Sequence, residues 1–158
     1  MRKQMKKKLG ISLLEVMLSL AIIAIILVMA TRYFTIAMRS EKTNEAVKVL
    51  QTMMKASDDW HWTYKTYQKS TNNPDVSTAA LINLGLVPKN YADANANPWG
   101  GTIDVKPNSE NQVTIVLTNV NETDCQNLAA MMLNQGFKQA ICAAVTHSEV
   151  ASFELPYP

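Results

Sequence analysis

The N-terminal part of the chain contains an almost unbroken run of apolar residues over positions 11–30. Only Ser12, Glu15 and Ser19 interrupt it with polar side chains. Twenty residues in an α-helix extend for about 30 Å, which matches the hydrocarbon core of a bilayer. The pattern therefore predicts a helix that can span a membrane. A carboxylate inside such a segment is costly without a partner, so Glu15 is a candidate functional residue.

Helical periodicity continues beyond this run. Apolar or small residues recur at alternating steps of four and three, as in one stripe of an amphipathic helix: Ala46, Leu50, Met53, Ser57, Trp60, Tyr64 and Tyr67. Neither Pro nor Gly occurs between positions 11 and 71. We therefore predict one long helix from residue 11 to about residue 67. We expect packing against a sheet, rather than base or sugar binding, for the aromatic group Trp60, Trp62, Tyr64 and Tyr67.

Two shorter helices are predicted in the rest of the chain. Ser77 can cap the first, which follows a turn cluster, and Gly85 can end it. Thr123 or Asp124 can cap the second, which covers residues 125–134.

Four segments have the composition and alternation of strands: residues 102–106, 113–117, 137–145 and 150–155. The first two are separated by a turn and therefore fit a β-hairpin. Together with the helices, they predict an α+β fold in which the long N-terminal helix packs on a small antiparallel sheet.

The charged residues are unevenly distributed along the 158 positions. The net charge is +2 at pH 7, but five of the 15 basic residues lie within the first eight positions: Arg2, Lys3, Lys6, Lys7 and Lys8. The rest of the chain contains ten basic and 13 acidic residues, so it carries a net negative charge. No basic patch for nucleic acid is left, so we predict no direct nucleic-acid site. Basic residues beside a membrane span stay in the cytoplasm, which predicts that the chain beyond the span lies outside it.

Three interpretations of this N-terminus are open. It could be a secretory signal peptide cleaved after residues 28–30, a plain signal anchor, or a precursor cleaved at Gly10. Glu15 lies inside what would be the uncharged part of a signal peptide, and a plain anchor gives this acid no role. The basic leader, Gly10, Ile11 and Glu15 together resemble the type III signal of type IV prepilins, which favours the third interpretation.

This resemblance implies cleavage between Gly10 and Ile11 by a prepilin peptidase and methylation of the Ile11 nitrogen. It also implies that Glu15 pairs with the N-terminal amine of a neighbouring copy during assembly. The expected partners are identical pilin subunits, the prepilin peptidase (which is also the methylase), an inner-membrane assembly platform and, before assembly, the membrane. The resemblance therefore divides the chain into three parts. Residues 1–10 are a cleaved leader, and residues 11–31 are the half of the helix that lies in the membrane or the filament core. Residues 32–158 form a globular head that includes the amphipathic half of the helix.

The chain has two cysteines, Cys125 and Cys142. In an exported protein an even pair predicts a disulfide, with two free buried thiols as the alternative. Their placement resembles the type IVb pilins, in which a strand precedes a short helix that opens with a cysteine, and a later strand carries its partner. Ala24 and Arg32 are departures, because many pilins carry Gly or Pro at such places in the first helix.

The resemblance implies a structural subunit of an extracellular type IV pilus that serves adhesion, bundling, motility or DNA transfer. A secretion-system pseudopilin and a membrane-anchored binding domain are the alternatives. An enzyme is not expected, because no nucleophile or acid–base set is evident. No cofactor or metal is expected either. His61 and His147 share no ligand spacing with the cysteines, and the acidic and amide residues near position 122 form no EF-hand.

Overall fold

The computed structural model describes residues 12–71, 73–145 and 148–156. Helix α1, Leu13–Tyr64, confirms the predicted long helix and ends slightly earlier than expected. It ends because Lys65 adopts a left-handed backbone conformation with φ of 60°, while its N–H donates to the carbonyl of His61. The chain divides into two compact units, Met1–Met38 and Arg39–Pro158. The predicted division at residues 31 and 32 depends on where a membrane would lie, and it stays a prediction.

The described part of the first unit is a helical segment with every side chain from residue 12 to residue 38 exposed. Large apolar side chains dominate it and include Leu13, Leu20, Ile26 and Phe34. This stretch of α1 is long and apolar enough to cross a membrane, although a signal sequence near an N-terminus would pass the same test. Such an exposed apolar surface requires a lipid or protein partner.

The second unit contains a hydrophobic core built around the remainder of α1. The predicted stripe is buried there over Ala46, Leu50, Met53, Ser57 and Trp60. Its residues pack together with apolar side chains of the sheet and of two shorter helices. The periodicity of the sequence therefore identified the buried face of this helix correctly.

The aromatic group at the end of α1 behaves only partly as predicted. Trp60 and Tyr67 are buried, and Tyr64 is half-buried with its ring 4.4 Å from that of Trp60. Trp62 is 66% exposed, so its predicted burial is wrong. Trp62 lies two residues from the buried Trp60 on the helix and therefore points away from the core, where the Lys65 ammonium lies 4.5 Å from its ring centroid.

The sheet of the second unit has four antiparallel strands. They are β1 (Ile103–Ser109), β2 (Gln112–Thr118), β3 (Gln139–Val145) and β4 (Ser148–Pro156). Their order across the sheet is β1-β2-β4-β3. Alternate residues of β2 are buried, which places one face of the sheet on the core. The α+β fold with a small antiparallel sheet is thereby confirmed.

Strand β1 continues further than the sequence predicts. The presence of Pro107 indicated a turn, yet the strand runs on to Ser109, with a shift of register after Pro107. Because β1 is an edge strand, Pro107 can be accommodated without the loss of a ladder hydrogen bond on the paired side.

Two α-helices connect these strands and α1. Helix α2, Thr78–Asn83, has the predicted cap, since the Ser77 hydroxyl accepts a hydrogen bond from the backbone N–H of Ala80. A short 3₁₀ helix follows at Lys89–Ala92. Helix α3, Glu122–Leu133, starts earlier than predicted because Asn121, and neither Thr123 nor Asp124, is its N-cap.

Candidate functional site

The first candidate site is the start of α1, where Glu15 lies in the first helical turn. Its backbone N–H donates to the Ser12 carbonyl at 2.9 Å, and the Ser19 hydroxyl donates to the Glu15 carbonyl at 2.8 Å. The carboxylate is exposed and forms no ion pair or hydrogen bond within the part of the chain that the structure describes. An acid in the first turn is favoured by the partial positive charge of the helix N-terminus. The site therefore presents an anion that a cation from another molecule can approach.

The other two residues of the predicted processing signal, Gly10 and Ile11, lie outside the described residues. Cleavage between them and methylation of the Ile11 nitrogen therefore stay predictions at this point.

The second candidate site is the segment closed by the two cysteines. Cys125 and Cys142 form a disulfide with their Cα atoms 6.0 Å apart. Cys125 is buried in the first turn of α3, whereas Cys142 is exposed on edge strand β3. The bond therefore fastens the edge of the sheet to the helix beside it, as the resemblance to type IVb pilins implied.

A buried carboxylate holds the start of α3 in place. Oδ2 of Asp124 accepts hydrogen bonds from Nε1 of Trp99 at 3.0 Å and from Nδ2 of Asn121 at 2.6 Å. In return, Oδ1 of Asn121 accepts the backbone N–H of Asp124 at 2.9 Å. Asp124 is only 3% exposed, and these bonds satisfy an acid that would otherwise be costly to bury.

The turn before β1 is organised by the side chain of Asn97. Its amide nitrogen donates to the carbonyls of Thr102 and Thr118, at 3.2 and 2.6 Å. Its oxygen accepts the backbone N–H groups of Trp99 and Gly101, at 2.9 and 3.0 Å. The turn is thereby tied to the end of β2 and carries Trp99 to the start of α3.

Gly101 is required in this turn by close packing. A Cβ atom at this position would overlap the backbone carbonyl of Thr118. The run Asn-Pro-Trp-Gly-Gly at residues 97–101 is typical of a sharp turn, but it does not predict the contact with α3. Neither Asn97 nor Asp124 was predicted as part of a joint network. The only signal was the run of turn-forming residues.

No candidate metal site is present among the described residues. They contain no group of three or more His, Cys, Asp and Glu side chains that could hold a metal. His61 is buried, with Nε2 3.4 Å from Oδ1 of Asn111, and His147 lies outside the described residues. Partial burial raises the pKa of Asp58, and the neighbouring Asp59 charge adds to this effect while His61 opposes it.

Comparison with protein families identifies both parts of the chain. The prokaryotic N-terminal methylation motif matches residues 5–31, which include Gly10, Ile11 and Glu15. The family described as PilS N terminal matches residues 39–154, more than two thirds of the chain. The chain belongs to this PilS family of type IV pilins. The pilin is therefore a structural pilus subunit rather than an enzyme.

Two curated relatives are similar to this pilin, and both are named the major structural subunit of bundle-forming pilus. The one from Escherichia coli O111:H- is 25% identical over 160 residues, which cover 97% of this chain and 79% of the relative. The one from Escherichia coli O127:H6 (strain E2348/69 / EPEC) is 26% identical over 145 residues, covering 87% and 71%. No solved structure matches the chain at a comparable level of significance.

Membership of this family indicates how the pilin is processed and assembled. Its copies polymerise into a pilus, and the methylation motif implies processing by a prepilin peptidase. The exposed apolar segment of α1 fits the membrane anchor of a subunit that later enters an extracellular pilus.

Proposed function

We propose that this pilin is the repeating subunit of a type IVb pilus and that Glu15 aligns each copy with the next. Prepilin peptidase removes residues 1–10 on the cytoplasmic side and methylates the new N-terminus, Ile11. Before assembly, residues 11–31 anchor the subunit in the inner membrane, and residues 32–158 lie outside the cytoplasm. An inner-membrane assembly platform then transfers the subunit into the filament.

The observation that carries this proposal is the exposed Glu15 in the first turn of α1, which is the only acid in the apolar segment of residues 11–31. When copies pack their apolar helices together, apolar side chains enclose the carboxylate of Glu15, which then requires a cation. The methylated amine of a neighbouring copy can supply it. Loss of one partner of such a buried pair costs about 3–5 kcal/mol, because the other charge is left without compensation. The pair therefore favours one alignment of neighbouring copies over others.

The second unit supplies the outer surface of the proposed filament. Its disulfide and the network of Asp124 keep α3 and the sheet edge in a fixed arrangement. The names of the two relatives support the further proposal that this surface lets filaments associate into bundles.

The test replaces Glu15 with Ala in cells that produce the pilin. We expect normal amounts of processed pilin in the membrane fraction and a loss of pilin from the sheared filament fraction. Ser19→Ala is the matched control, since it removes a polar group from the same apolar segment without removing a charge. Wild-type amounts of filament from the Glu15→Ala variant would refute the alignment role.

Intact mass and N-terminal sequencing of the membrane pilin test the processing step separately. The expected chain begins at Ile11 and carries one added methyl group. A chain that begins at Met1 would support a membrane-anchored binding domain, and one that begins at Thr31 would support an ordinary secreted protein.

A further inference from the structure

Arg32 is a cation in apolar surroundings. Between residues 12 and 38, Arg32 and Glu15 are the only charged residues of the sequence. The large side chains one turn away from Arg32 on α1 are apolar and exposed: Val28, Met29 and Ile36. Arg32 is itself exposed and forms no ion pair or hydrogen bond with any described residue. Arginine remains charged in proteins, so it cannot adapt to burial by losing its proton.

Two carboxylates in the second unit lack a cationic partner within the described chain. Glu41 and Glu45 are four residues apart on α1 and therefore lie on adjacent turns of one face. Like charges at this spacing repel each other. Both side chains are exposed, and neither forms an ion pair or hydrogen bond within the described chain, although Lys42 and Lys48 are close in sequence. Each unit thus presents charges without a partner of opposite sign.

We propose that Arg32 of one copy binds Glu41 and Glu45 of a second copy in the filament. This inference rests on the proposed function, because only the packing of apolar helices encloses Arg32. A planar guanidinium carries five N–H donors in a fork and can bridge two carboxylates. The two acids are suited to this role because they lie on a surface of α1 that the core of their own unit leaves exposed.

The contact joins two different surfaces of identical chains. An interface of this heterologous kind does not close on itself between two copies and can extend into a helical polymer. It shares no residue with the proposed contact between Glu15 and the N-terminal amine of a neighbouring copy. The filament would therefore have two independent charge contacts between copies, one at the start of α1 and one at Arg32.

Charge reversal in the full-length pilin tests the contact. Arg32→Glu alone, and Glu41→Arg with Glu45→Arg, should each reduce pilin in the sheared filament fraction by about tenfold or more. The triple variant that combines all three changes restores opposite charges and should recover most of the filament. Lys55→Glu is the matched control, because it reverses an exposed charge of α1 outside the proposed contact and should leave the filament yield unchanged.

Mass analysis of the membrane fraction accompanies each variant and should give the same processed chain throughout. Normal filaments from Arg32→Glu would overturn the proposal, as would a triple variant no better than its parents. The Glu15→Ala variant is measured in parallel. If it forms normal filaments while Arg32→Glu does not, the proposed role of Glu15 fails and the Arg32 contact stands. The reverse result rejects the Arg32 contact alone.

Discussion

Asp124 links the turn before β1 to the start of α3, because its carboxylate accepts a hydrogen bond from Trp99 of that turn. Its carboxylate oxygen Oδ2 accepts hydrogen bonds from the half-buried Trp99 and the exposed Asn121, while Asp124 itself is buried. A buried donor that loses its acceptor keeps the full cost of its desolvation. The energetic importance of Asp124 therefore lies mainly in the half-buried indole N–H of Trp99, since the exposed amide of Asn121 can bind water.

We predict that Asp124→Ala lowers the free energy of unfolding by about 1–3 kcal/mol, because the half-buried Nε1 of Trp99 loses its acceptor, whereas Nδ2 of the exposed Asn121 can bind water instead. Glu122→Ala is the matched control, since Glu122 is an exposed acid in the same helical turn. Thermal unfolding of the full-length pilin in detergent, followed by circular dichroism, gives both values. Equal midpoints for the two variants would mean that the network does not stabilise the fold.

Asp58 makes stability depend on pH in the opposite sense to a paired carboxylate. Burial raises its pKa in the folded chain above the ordinary value of 3.8, with Asp59 as the second cause. The folded state then binds more protons than the unfolded state between these two values. The contribution of Asp58 to stability is therefore complete below the ordinary pKa and is lost as the pH rises through the folded value.

The Asp58→Asn variant should accordingly unfold at a higher temperature than the wild type at pH 7, because no charge has to be buried. Below pH 3.8 the two chains should unfold at nearly the same temperature, since Asp58 is then protonated. Glu45→Gln controls for the loss of an exposed acid on the same helix. A gain for Asp58→Asn that is equal at both pH values would argue against this titration.

At the scale of the elements, the helix and strand with a strong sequence pattern could be predicted. Features that depend on contacts between distant residues, such as the N-cap of α3, could not. Helix α1 followed from a stripe of residues at steps of three and four, and β2 followed from a run rich in β-branched residues. The cap of α3 could not be chosen from sequence. Asn121, Thr123 and Asp124 all have suitable side chains, and the contact with Trp99 is what assigns Asp124 to another role.

The candidate site could be predicted to a similar extent. Glu15 was identifiable because a charge in an apolar run is unusual, and the cysteine pair was identifiable from its placement between a helix and a strand. The order β1-β2-β4-β3 and the joint network of Asn97 and Asp124 depend on contacts between residues far apart in sequence. A single sequence carries no signal for such contacts.

The free edge of β1 is protected by one side chain. The Thr78 hydroxyl donates to the carbonyl of Ile103 and accepts the N–H of Val105, both at 3.0 Å. It thus takes the place of a neighbouring strand. Pro107, which follows on the same strand, has no N–H to offer. Natural sheets use devices of this kind to prevent edge-to-edge association.

Thr78→Val should therefore lower the free energy of unfolding by about 1–3 kcal/mol, because a buried N–H and a buried carbonyl lose their partner while the side-chain volume hardly changes. Thr114→Val, at a half-buried position of β2, is the control with the same chemical change. Denaturant unfolding measures both. Identical stability of the two variants would show that the hydroxyl does not substitute for a strand.

At the scale of the whole molecule, the two units differ in what stabilises them. The first exposes its apolar side chains and depends on a membrane or on other copies. The second buries its apolar side chains by itself, and every buried residue of the described chain lies at or beyond Thr43. Removal of the first unit therefore takes away no core side chain.

We predict that a fragment of residues 39–158 folds on its own as a soluble monomer and unfolds cooperatively. A fragment of residues 53–158 is the control, because it lacks Ala46, Val49 and Leu50 from the core. Loss of a buried leucine side chain alone costs about 2–5 kcal/mol, a large part of the stability of a small domain. Gel filtration and circular dichroism melting should therefore separate the two fragments. A broad melting curve or aggregation of the longer fragment would mean that the first unit is needed for the second to fold.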